Sequence, residues 1–221
     1  MCFSATASFA AAGVTGVAGA AALSSATRSQ MWVGTIPVLF AVHQFAEGVL
    51  WLALSRDAAA SWSRPAMFTY LTVARVVWPT WVPLAILALE PEPGRRRALS
   101  ALLALGVGLS LLEVYALGAY PVGASIEGRH VDYRIDTPPL LRWPMDIAYV
   151  FTTALPPFVS SSRTVRIAGV ALLAALVVSK IFYYRHFASV WCFFAALISV
   201  GLVLTLRVAR RRPALAGARL P

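Results

Sequence analysis

Apolar residues run along this chain in blocks of about twenty, separated by short stretches that carry most of the charge. A block of that length is what an α-helix needs to cross a bilayer. Seven blocks are predicted as helices, at roughly residues 5–25, 31–54, 66–89, 98–119, 140–160, 164–184 and 187–207. The expected fold is all-α, a polytopic membrane protein with a seven-helix domain over residues 1–207 and a basic tail over 208–221. In the first block Ala12, Gly16 and Ala20 recur every fourth residue, a spacing that lets another helix approach closely. The longest connection runs from about Pro121 to Pro139, and its VGASIEGRHVDYRIDTPP has a Gly turn between two alternating runs. That pattern predicts a small hairpin lid.

The second block, MWVGTIPVLFAVHQFAEGVLWLAL, breaks the apolar pattern with His43 and Glu47. Four residues apart on a helix is one face, so both groups point the same way. A carboxylate at membrane depth costs at least about 2.5–3.5 kcal/mol, so that face is expected to look into the bundle. The other blocks carry Arg75, Glu113, Asp146 and Lys180. Pro79 and Pro83 follow Arg75 in the third block and should kink it, freeing backbone carbonyls nearby.

Composition agrees with the pattern: 59% of residues are hydrophobic and 13% charged, with a mean hydropathy of +0.73. The net charge of +10 would suggest a nucleic-acid partner in a soluble protein. Here the basic residues sit in short loops and the tail, where they set topology, and the partner read from them is the lipid bilayer. Eleven arginines fall on one side (Arg28, Arg95, Arg96, Arg97, Arg163, Arg166, Arg207, Arg210, Arg211, Arg212 and Arg219). Six fall on the other (Arg56, Arg64, Arg129, Arg134, Arg142 and Arg185). The bias predicts a multi-pass protein of the cell membrane with its N-terminus outside and its C-terminus in the cytoplasm. The opening MCFSATASFAAAG has no basic leader region and reads as a retained first helix.

At about 1.5 Å per residue, that topology gives the polar groups similar depths in the outer half. Glu47, Arg75 and Glu113 form one layer, His43 lies deeper, Asp146 and Lys180 shallower, and His186, Cys192 and Cys2 stand on the same side. Three acids face two bases, a sum of minus one. Two ion pairs, Arg75 with a carboxylate and Lys180 with Asp146 or Glu113, would satisfy most of the layer structurally. The remaining carboxylate needs a proton, a cation or a metal. Most aromatic residues at this level are interfacial anchors, but Trp143 and Tyr149 flank Asp146 at three-residue spacing and are candidate pocket residues.

Three chemistries fit these residues. A zinc held by His43, Glu47 and His186 could activate water, with Asp146 as proton acceptor, in a membrane hydrolase or lipid-modifying enzyme. Glu47 and Glu113 could instead carry protons in a proton- or cation-coupled small-molecule transporter, with Arg75 or Lys180 as counter-ions. A ligand-binding sensor or a structural membrane protein needs neither. Cys2 and Cys192 are open to a disulfide, to two thiols or to metal ligation, and their spacing does not choose.

MCFSATASF at the start, HQFAEGVLW and SVWCFFAA together resemble an uncharacterised bacterial family of small multi-span membrane proteins that open with Met-Cys-Phe-Ser-Ala. The resemblance covers essentially the whole chain and implies that Cys2, His43, Glu47, Trp51, Trp191 and Cys192 belong to family motifs. A looser resemblance is to seven-span zinc hydrolases of the alkaline ceramidase type, which implies parts for His43, His186 and Asp146. In this chain the last span has no second histidine one turn away, and His130 lies in the external loop.

Overall fold

The computed structural model describes residues 4–56, 61–128, 130–182 and 187–217. Among the described residues the architecture is helical, with one small hairpin. Helix α1 (Ala5–Leu23) begins where the Ser4 hydroxyl accepts from the Ala7 N–H. Its buried seam is Ser8, Ala12, Thr15, Gly19 and Ala22, so the close approach uses Gly19 and not Ala20, which is exposed. The seam lies on α3 (Ile36–Arg56). Gly16 faces Ala41, Gly19 faces Val38, and Gly48 faces the Phe9 ring.

The second block is two helices, α2 (Arg28–Gly34) and α3, parted at Thr35. The third is three pieces: α4 (Ser63–Leu71), a π-helical turn over Thr72–Val77, and α5 (Trp78–Leu89). Proline chemistry accounts for the π turn. Pro79 has no N–H to give Arg75 in an α-helix, and the ladder widens by one residue so that the Trp78 N–H meets the Val73 carbonyl. Helix α6 (Pro93–Ala119) starts at its proline, ahead of the Arg95–Arg97 run that delayed the hydropathy window. Gly106 lets α6 cross against α5 there, since a Cβ would run into the Pro79 carbonyl.

The long connection is a hairpin, β1 (Val122–Glu127) and β2 (His130–Ile135), antiparallel with Val122 opposite Ile135 and Glu127 opposite His130. Gly128 turns it at a φ of 63°, the left-handed region that favours glycine. One face, carrying Val131 and Tyr133, packs on Leu50, Trp51, Met67 and Tyr70, so the hairpin covers the ends of α3, α4 and α6.

The fifth block is α7 (Pro139–Ala154) and the short α8 (Pro156–Val159), divided by Pro156 and Pro157. Helices α9 (Arg163–Phe182) and α10 (Phe187–Gly217) complete the bundle, α10 continuing past residue 207 into the tail sequence. Among the described residues, five helical stretches are long and apolar enough to cross a membrane: Ala5–Leu23, Arg28–Arg56, Ser63–Leu89, Pro93–Ala119 and Arg163–Phe182. Val190–Thr205 is a shorter apolar helix. Their outward faces suit hydrocarbon, with Val17, Leu111, Ile167 and Val170 all exposed.

Candidate functional site

The π turn sets the first half of the site. In the widened ladder the next bond would run from residue 79 to Ala74, and Pro79 cannot make it. The orphaned Ala74 carbonyl accepts from the Tyr149 hydroxyl at 2.7 Å. Two residues on, the Val76 carbonyl accepts from the Ser110 hydroxyl at 2.6 Å, and Ser110 also meets Thr80 at 2.9 Å. Helices α6 and α7 are thereby tied to the turn that carries Arg75.

Arg75 makes a forked pair with Glu113, Nη2 to Oε1 at 2.8 Å and Nε to Oε2 at 3.1 Å. Its third nitrogen, Nη1, reaches Asp146 Oδ1 at 3.2 Å. The guanidinium lies 5.6 Å from the centre of the Tyr149 ring, a cation–π contact. Glu113 is wholly buried, while the side chains of Arg75 and Asp146 keep 25% and 47% of their surface exposed. Burial thus grades from an open carboxylate, through the cation, to a closed one.

Helix α3 supplies the second half. His43, Gln44 and Glu47 are completely buried. The His43 ring stacks on Tyr70 at 4.0 Å and 22°, and Tyr70 stacks on Tyr133 of the hairpin at 4.1 Å and 3°. A column of three rings therefore runs from the centre of α3 to the hairpin. Neither His43 nitrogen, nor either Gln44 amide atom, has a hydrogen-bond partner among the described residues. Cys192, a buried free thiol, lies in electrostatic range of Glu47 and in hydrogen-bonding range of Tyr70. Tyr149 lies in electrostatic range of Cys192, so the two halves are neighbours.

Of the residues singled out from sequence, Arg75, Glu113, Asp146 and Tyr149 are joined by direct contacts, and His43, Glu47 and Cys192 are buried in the neighbouring half. Trp143 lies on the outer face of α7, 63% exposed, because Asp146 itself sits at the edge of the buried face and a residue three positions earlier rotates past it. Lys180 is exposed on α9, and both carboxylates suggested for it are held by Arg75. Cys2 and His186 lie outside the described residues. Among the described residues no three His, Cys, Asp or Glu side chains gather closely enough to hold a metal ion.

Tyr70 and Tyr133 were missed. Alternation in β2 puts Tyr133 on the same face as Val131, the buried one, and that was the available signal. Gln44 was missed beside His43, its polarity hidden in an otherwise apolar run.

No curated protein and no solved structure matches the chain. Residues 1–219 match a family of unknown function, DUF6629, and the chain belongs to that family.

Proposed function

We propose that this is a seven-span protein of the cell membrane, N-terminus outside and C-terminus cytoplasmic, whose buried layer exchanges protons as part of a proton-coupled small-molecule carrier. The five long apolar helices, the α7–α8 pair and apolar Val190–Thr205 support seven crossings. The arginine bias supports the orientation.

One observation carries the reading: Arg75, on a π turn, is shared between carboxylates from two other helices. Two acids competing for one cation make a switch. When Glu113 takes a proton it loses its hold on Arg75, which then belongs to Asp146; when it releases the proton the fork re-forms. Asp146, half open, gives protons a way in, and Glu47 is a second proton site on α3. A π turn followed by prolines has no fixed α-ladder to break, so α4 and α5 can shift relative to one another as the pairing changes.

The test is pH-difference infrared spectroscopy of the full-length protein in lipid. A protonated-carboxyl band should grow on acidification across about pH 9 to 4 and be lost in Glu113→Gln. No such band sensitive to Glu113 or Glu47 would end the proposal.

A second reading, zinc-assisted hydrolysis, draws on the buried His43 nitrogens, unpartnered among the described residues, with Glu47 one turn on. Stoichiometric zinc in the purified protein, lost in His43→Ala, would replace proton exchange with that chemistry.

A further inference from the structure

Beside the polar set, an apolar cavity of about 100 Å³ lies between the helices. Its wall follows α10 from Trp191 to Leu202 and α5 from Trp78 to Ile86, spans of about 16 Å and 12 Å at the helical rise. A small volume spread over that length is long and thin, parallel to the helices. Three hydroxyl-bearing residues line it, and each hydroxyl already donates to a backbone carbonyl: Thr153 to that of Tyr149 at 2.6 Å, Ser199 to that of Ala196 at 2.7 Å and Tyr149 to that of Ala74 at 2.7 Å. Along its length the wall offers a guest only apolar contact, as in cavities that stay dry.

The two ends differ. At one, Ile86 and Val165 join Leu99 in a closed apolar cluster. At the other stand Tyr149, Cys192 and Trp78, next to the polar set. Trp78 is buried there, and its indole N–H has no hydrogen-bond partner among the described residues. The side wall is looser: Ala168 and Leu172 of α9 and Ala195 and Ile198 of α10 are only half-buried. A guest could therefore enter sideways, between those helices, from the hydrocarbon of a bilayer.

We infer that this cavity is a binding site for one linear alkyl chain, lodged tail-first toward Val165, whose uncharged oxygen-bearing head accepts from the Trp78 indole N–H. Length with little girth selects a straight chain over a ring system. The Trp78 N–H, a stronger donor than the Cys192 thiol beside it, selects an acceptor oxygen, and the surplus of carboxylates over Arg75 in the neighbouring set disfavours an anionic head. The site stands apart from proton exchange, and Glu113→Gln is expected to keep it.

Native mass spectrometry of the delipidated full-length protein with dodecan-1-ol tests this. The parent and Glu113→Gln should each take up one molecule, saturably. Filling the side wall with Ala168→Leu and Ala195→Leu together should reduce uptake to the level of non-specific adducts. Trp78→Phe keeps the cavity, loses the donor and should weaken binding about tenfold. Dodecanoate should bind more weakly than the alcohol. Uptake by the leucine variant at parental affinity, or binding in the parent that does not saturate, would overturn the inference.

Discussion

Two regions of the bundle use the same residue types in opposite ways. In the Arg75 set, a cation and two carboxylates from separate helices meet through side chains alone, across 38 and 71 residues of sequence. At the loops joining α5 to α6 and α8 to α9, charged side chains bind mainly backbone, although Arg95 also pairs with Glu92. Glu90 accepts from the Ser161 N–H at 2.7 Å, Arg95 donates to the Val159 carbonyl at 3.0 Å, and Arg96 donates to those of Leu87 and Glu90 at 3.0 and 2.9 Å. Arg166 closes the second loop on the Ser160 and Ser161 carbonyls at 3.1 and 3.0 Å. The carbonyls that the arginines hold do not titrate, so above the range where Glu90 takes a proton this clasp holds two loops in one arrangement. Carboxylates do titrate, and a cation held between two of them can change partners. The difference separates a fastening from a candidate switch, although a count of arginines would treat them alike.

Arg75→Met should have the largest effect, because it leaves Glu113 buried without its cation. A loss of about 3–5 kcal/mol is expected, recovered in part by adding Glu113→Gln. Thermal unfolding in mild detergent measures both. No rescue in the double variant would mean that Arg75 matters through packing and that the shared-cation account is wrong.

Glu90→Gln should cost less, about 1–2 kcal/mol, since an amide oxygen still accepts from the Ser161 N–H. Its pH behaviour is more telling. Burial acts to raise the Glu90 carboxyl, but the N–H donors of Ser161 and Glu92 outweigh it and hold the group below its ordinary value of 4.5. A depressed carboxyl contributes stability above that ordinary value and loses it as the pH falls through the lower, folded-state value. The parent should therefore lose stability in acid below about pH 4.5, and Glu90→Gln should lose less over that range. Parallel acid profiles would place the acid sensitivity elsewhere.

The smallest effect is expected at Lys180, which is exposed on α9. Lys180→Gln should change stability by less than about 0.5 kcal/mol and leave the carboxyl infrared signal unchanged. A large change in that signal would return Lys180 to the layer as a counter-ion and blur the contrast drawn above.

Much of this was legible in the chain itself. Hydrophobic blocks marked the helices, because a membrane-length apolar run has few other stable states in lipid. The spacing of His43 and Glu47 placed both in the interior, as the penalty for facing lipid requires. The Gly turn between alternating runs marked the hairpin, and the prolines after Arg75 marked the place where carbonyls would be freed. All of these are local rules, set by residues within a turn or two of one another.

What only the tertiary structure decided was pairing. Charge counting allowed Arg75 one carboxylate and gave Lys180 another, yet Arg75 holds two. No local rule ranks partners 38 and 71 residues away; the outcome depends on how α6 and α7 cross the π turn, which Gly106, Ser110 and Tyr149 settle. The stacking of His43 on Tyr70 and of Tyr70 on Tyr133 likewise needs α3, α4 and the hairpin brought together. Periodicity says which side of an element is buried; which neighbour that side meets is a property of the packed bundle.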